Sequence, residues 1–231
     1  TCYGVTDRWD NNQQLHSKVS PLSEMTSAAK RGLDECDQYL SAGGTGMVGV
    51  HAAFTCSDET LTAAAELAKK HSVGVHIHVA EGVDDIQAGA RLESLAQDNW
   101  LLIHAVHLDR HLKGRVVHNA RSNMNNSVGY AKPTKRSNKI LLGTDGIGAD
   151  MIEEARIAYA RLREFDVSAE PPTVWQWLDN SLELFPDAKN DVVTFDYDFA
   201  DSPWHAAFTT NMTAINVEVA GEKILVDRQP T

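Results

Sequence analysis

Three observations in the sequence predict an α/β fold whose parallel strands close as a (β/α)8 barrel. First, near-continuous apolar runs at residues 47–54, 75–79, 100–107, 115–119 and 139–145 alternate with polar or helical stretches. Runs of that kind suit strands buried on both faces, the condition of a parallel sheet. Second, each run closes on a residue able to do chemistry: His51, His78, His104, His118 and Asp145. The carboxyl ends of barrel strands surround one pocket, so residues far apart in sequence converge there. Third, six of the ten histidines (His76, His78, His104, His107, His111, His118) crowd into 43 residues, under one fifth of the chain. A lone histidine at a strand end is more often structural than functional, but several in succession argue for a site.

Taken in order, residues 1–20 are polar and weakly patterned. Residues 23–40 read as a helix capped by Ser23, with Met25, Ala28, Ala29, Leu33 and Cys36 at helical spacing. The glycines at 43, 44 and 46 end it, and the strand carrying His51 follows. Ser57 with Asp58 and Glu59 makes a good helix start, because carboxylates favour the positive N-terminus. That helix is expected to run to about His71, with Leu61, Ala64, Ala65 and Ala68 inside.

The next strand, Val75-His76-Ile77-His78-Val79, puts His76, His78 and Ala80 on one face and Ile77 and Val79 on the other. A turn at its end can bring Glu81 round beside His78. Neutral imidazoles suit zinc, iron or copper, and a nearby carboxylate that is not a ligand can move protons. The plainer reading is a core strand with two half-buried histidines and a solvated Glu81.

Residues 151–165 read as a helix, Pro171-Pro172 breaks it, and residues 173–184 resume helically. Beyond Asp191 the pattern turns to strands at 192–197, 214–219 and 223–226, with Ala220-Gly221 as a hairpin turn. Residues 1–190 are therefore expected to form the barrel domain. Residues 191–231 are expected to supply the C-terminal part of a small β-sheet domain.

Composition narrows the function classes. A formal net charge of −11 with scattered basic residues argues against nucleic acid and anionic membranes as partners. No apolar run approaches the length of a membrane helix. Three separated cysteines (Cys2, Cys36, Cys56) make neither a disulfide framework nor a zinc ribbon, and a reducing, cytoplasmic setting is expected.

Five motifs in this order resemble the amidohydrolase superfamily, in its chlorohydrolase and aminohydrolase (cytosine/guanine deaminase-like) branch. They are Gly49-Val50-His51-Ala52, His76-Ile77-His78-Val79-Ala80-Glu81, Ile103-His104-Ala105-Val106-His107-Leu108, His118-Asn119-Ala120-Arg121-Ser122-Asn123-Met124-Asn125-Asn126, and Leu142-Gly143-Thr144-Asp145-Gly146. The opening Thr1-Cys2-Tyr3 and the stretch from Asp145 to Met151 look most like aminohydrolases linked to selenium metabolism. The resemblance implies a TIM-type barrel with a small β-sandwich, one divalent metal ion (zinc first, iron or manganese suiting the same ligands), a small-molecule substrate and a homo-oligomer, as a dimer. It implies His78 and Asp145 as metal ligands, Glu81 as proton shuttle, His104 as the group polarising water or substrate, and Asp145 also as general base. His51 would touch substrate, with Asn119, Ser122 and Asn123 shaping the pocket.

The implied activity is hydrolysis of a C–N bond, deaminating a nitrogen heterocycle. The rival readings are a chlorohydrolase or amide hydrolase of the same superfamily, and a non-catalytic barrel remnant acting as a binding or assembly module. The family's first-strand His-x-His pair has no counterpart in these 231 residues. Thirteen residues between His104 and His118, and the short span from Asn126 to Lys139, leave little room for crossover helices. The barrel is accordingly expected to be incomplete here, and the chain to be part of a longer protein.

Overall fold

A computed structural model of the chain describes residues 4–196, 204, 207 and 212–230. Its contacts divide the chain into two compact units, residues 1–140 and 141–231.

The first unit is built on a parallel sheet. Its strands are β1 (Val48–Ala52), β2 (Val75–Val79), β3 (Leu101–His104), β4 (Arg115–His118) and β5 (Ile140–Leu142), which starts in this unit. They lie side by side in sequence order. Sequential parallel neighbours are the order of a (β/α)8 barrel, of which this open sheet is a part. Val5 extends the sheet by a parallel bridge to Val50. The core is what the apolar runs require: Val48, Val50, Ile77, Val79, Leu102 and Val116 are at most 2% exposed.

Helices α1 (Ser27–Ser41) and α2 (Asp58–Lys70) follow the predicted amphipathic stripes, burying Leu33, Cys36 and Leu40, and Leu61, Ala64 and Ala68. Ser57 caps α2, its hydroxyl accepting from the Thr60 amide at 3.1 Å. Replacing Ser57 with Ala is expected to lower stability by about 1 kcal/mol, read from denaturant midpoints. Helix α1 starts later than Ser23: Thr26 is its cap, accepting from the Ala29 amide at 3.1 Å. The selection is tertiary. Buried Asp7 accepts the backbone N–H of Thr26 through Oδ1 and that of Ser57 through Oδ2, both at 2.8 Å. One carboxylate thus anchors the cap residues of both helices.

The connections differ in build. Between β2 and β3 lies only the short α3 (Ala88–Leu92), and between β3 and β4 an irregular loop without a helix. After β4 comes α4 (Ala120–Asn125), then loop with one 3-10 turn at Pro133–Lys135. Strand β3 is half the expected length, because His104 and Ala105 adopt left-handed φ of 69° and 52°, which a ladder cannot continue.

In the second unit, α5 (Met151–Phe165) is capped by Asp150, whose Oδ1 accepts the amides of Ile152 and Glu153 at 3.0 Å. Helix α6 (Pro171–Asp179) begins at the proline pair instead of after it, since the first helical positions need no N–H. Strands β6 (Val192–Phe195), β7 (Ala214–Val219), β8 (Glu222–Val226) and β9 (Gln229–Pro230) form an antiparallel sheet in that order. Among the described residues this is one layer of the expected sandwich. The end of the strand predicted at 192–197, at Tyr197, lies outside the described residues, as do Cys2 and His205.

Candidate functional site

His51, His78 and His104 stand at the carboxyl ends of three adjacent parallel strands. Val79 pairs with His104, and His78 with Ile103, so the two imidazoles arrive side by side. Their rings stack with centroids 5.4 Å apart. On the other flank, the β1–β2 register slips between Val50 and Ala52, so that His51 is the extra residue of a bulge. Bulges re-aim side chains, and the His51 ring lies 5.6 Å from that of His78.

Hydrogen bonds fix the tautomers. The Nδ1–H of His78 donates to the His51 carbonyl in a short contact, leaving Nε2 with a free lone pair. The Thr55 hydroxyl donates to Ala52 O at 3.0 Å, so its oxygen accepts from His51 Nδ1 at 2.8 Å. Again Nε2 is left as the acceptor. Buried His104 places Nδ1 2.8 Å from Asn123 Oδ1, and the Asn119 amide lies 3.3 Å from the same nitrogen. The shorter contact makes Nδ1 the donor and presents Nε2 to Glu81, whose Oε2 is 3.5 Å away. Imidazoles held through Nδ1 by a carbonyl or amide oxygen are oriented as metal ligands are.

Glu81 reaches this position because Ala80, fully buried, takes a left-handed φ of 48° and reverses the chain after β2. Its carboxylate is half-buried, with the Asn126 side-chain amide 3.4 Å from Oε1. Asn119, Ser122 and Asn123 are all at most 1% exposed, on or beside α4. Asp145 follows β5 by three residues, opening a 3-10 turn at a left-handed φ of 54° with its side chain exposed. Strained backbone at His104, Ala80 and Asp145 is of the sort that accumulates at functional positions.

Burial pushes the His51 imidazole below its ordinary pKa, with the neighbouring His78 adding to the effect. The same two causes hold His76 down to about 4. His76 is therefore neutral in the fold but protonated below about 6.5 when unfolded. Between those values the unfolded state binds more protons, so stability falls as pH falls from 6.5 towards 4. Melting curves across this range are expected to show that loss, and His76→Asn to flatten it. His107 and His111 sit apart from the cluster: His107 Nε2 donates to Val128 O at 2.8 Å, and His111 is exposed beside Ser137.

Three partners were not predicted as such. Thr55 was not singled out, and Asn126 only closed a motif. Asp85 was not singled out either, yet it is 3% exposed and accepts the Ala80 amide at 2.7 Å.

The amidohydrolase family profile matches residues 2–174, three quarters of the chain. The chain belongs to the amidohydrolase family. Curated relatives include a 5'-deoxyadenosine deaminase of Methanococcus vannielii, 29% identical over 68% of this chain and 41% of that protein. A 5-methylthioadenosine/S-adenosylhomocysteine deaminase of Desulfitobacterium hafniense is 34% identical over 48% of this chain and 32% of its own length. The chain thus spans less than half the length of these relatives. Among solved structures, a zinc-bound adenosine deaminase from Xanthomonas campestris superposes with a TM-score of 0.71 at 19% identity. It is matched over 90% of this chain and 59% of that one. An atrazine chlorohydrolase from Arthrobacter aurescens complexed with zinc gives 0.69 at 15% identity, over 87% and 56%. These likenesses establish the amidohydrolase barrel fold, of which the open parallel sheet is a part. Among the described residues no helix is long and apolar enough to cross a membrane.

Proposed function

We propose that this chain carries much of the active site of a metal-dependent aminohydrolase that deaminates a nitrogen heterocycle, with an adenine-type nucleoside as the substrate class. The observation that carries the reading is the pairing of His78 and His104 at adjacent strand ends, tautomers set through Nδ1, with Glu81 3.5 Å from His104 Nε2. Deaminase relatives acting on adenosine derivatives support the substrate class.

The donor set fits a divalent ion: two oriented imidazoles stand side by side, and a half-buried carboxylate lies 3.5 Å from that of His104, a mix that zinc accepts readily. His78 Nε2 and the Asp145 carboxylate would hold it. Zinc is the first choice, and such an ion supplies Lewis acidity that brings the pKa of water towards neutrality. Asp145 takes the proton of the attacking water. Glu81 delivers its proton to the ring nitrogen, takes up the one removed from water by Asp145 and passes that to departing ammonia, regaining its own from the new hydroxyl, and His104 Nε2 orients the water against the ring carbon. His51 Nε2 accepts a hydrogen bond from substrate, while Asn119, Ser122 and Asn123 wall the pocket beneath His104.

In this reading residues 1–190 belong to the barrel and 191–231 to the small sheet domain, in a cytoplasmic homodimer. The test is ammonia release from a panel of adenosine derivatives, alongside metal analysis and sedimentation. Metal-replete protein that releases ammonia from none of them would overturn the proposal in favour of a binding module.

A further inference from the structure

We propose that Asp85 is a positioning residue that holds the Glu81 carboxylate at the site, an inference that rests on the proton-carrying role proposed for Glu81. Asp85 closes the 3-10 turn Val83–Asp85, four residues beyond Glu81, and turns its side chain back into the protein. Its Oδ2 accepts the Ala80 amide at 2.7 Å. The backbone amide of Phe54, in the turn that follows His51, is near enough to help keep this carboxylate ionised. The carboxylate therefore fixes the start of the loop that leaves β2 and lies against the turn that follows β1.

The tie acts where the chain needs it. Ala80 is a non-glycine residue in the left-handed region, a conformation that persists only when its surroundings enforce it. Its N–H is fixed by Asp85, and its carbonyl accepts from the His107 amide at 2.8 Å. The neighbouring Val79 carbonyl accepts from the Ala105 amide at 3.0 Å. With both sides of the Ala80 peptide held, the direction in which Glu81 leaves the strand is set. Burial raises the Asp85 carboxyl to about 6, and the backbone amides of Ala80 and Phe54 oppose that rise. An isolated carboxylate is costly inside, and the Ala80 amide supplies the hydrogen bond that offsets this for Asp85.

Asp85→Asn keeps the shape but holds the Ala80 amide with a neutral, weaker acceptor and turns N–H donors towards the neighbouring backbone. Steady-state kinetics of the metal-loaded protein and its variants decide the matter. Asp85→Asn is expected to lower kcat by about tenfold or more with KM little changed, the scale of a small displacement of a reacting group. In the Glu81→Gln background the same substitution is expected to cost less than about twofold, because no proton carrier is left to position. Equal losses in both backgrounds would mean that Asp85 acts independently of Glu81, and would overturn this inference alone. Unchanged turnover in metal-replete Glu81→Gln would overturn the role of Glu81 and this inference with it. Should Asp85→Asn not accumulate as folded protein, the cycle is run in Ala80→Gly, since glycine takes a left-handed φ without strain. The same outcomes then apply.

Discussion

Glu81→Gln is expected to keep its metal and its fold while turnover falls by about 10²-fold or more, the usual scale for losing a general acid–base group. The substitution is nearly isosteric, and Gln Oε1 can still accept from the Asn126 amide as Glu Oε1 does at 3.4 Å. What disappears is the capacity to carry a proton between water, ring nitrogen and leaving group. The side chain is not part of a helix: it precedes the 3-10 turn at Val83–Asp85, whose cap is Gly82, so a helix-dipole contribution is not what the carboxylate supplies. Metal analysis beside steady-state rates reads the result. Normal turnover in a metal-replete variant would make Glu81 structural and sink the proposed mechanism.

The second large effect is on stability. Asp7→Ala is expected to destabilise the protein by roughly 2–5 kcal/mol, because two buried amides, those of Thr26 and Ser57, lose their acceptor together. Each unsatisfied buried donor costs about 1–3 kcal/mol. Against a total stability of about 5–15 kcal/mol this is a large fraction. Both α1 and α2 should loosen at their first turns, where the lost acceptor sat. Urea unfolding followed by circular dichroism measures the shift. A change below about 1 kcal/mol would show that water replaces the carboxylate at no great cost.

Asp7 also marks where reading the sequence stops. Helix α2 was legible to the residue because its start signal is local: Ser57, Asp58 and Glu59 act within one turn. The start of helix α1 was misplaced by three residues because its cap, Thr26, is held by a carboxylate 19 positions upstream. The apolar run through Val106 hid the end of β3, since nothing in Ile103-His104-Ala105 announces two left-handed residues that are not glycine. The strand-end histidines were legible because five similar runs each closed on a chemical group. His51, His78 and His104 do lie together at neighbouring strand ends. The bulge that aims His51 and the buried Asp85 were not legible. Both depend on which loops meet in space, and an isolated Asp among Asp and Gly reads as solvent-facing.

The antiparallel sheet has two unlike margins, and this bears on how the protein behaves in concentrated solution. At one margin, β9 ends in Pro230, which has no N–H to offer an incoming strand. Proline at an edge is a known deterrent to strand addition. At the other margin lies β6, Val192-Val193-Thr194-Phe195, free of proline, glycine and charge. Val192 and Val193 are 54% and 46% exposed. A short β-branched and aromatic segment of that composition is a template for intermolecular pairing. Self-association of this protein should therefore begin at residues 192–195, and a single lysine at Thr194 is the change that would keep it dispersed.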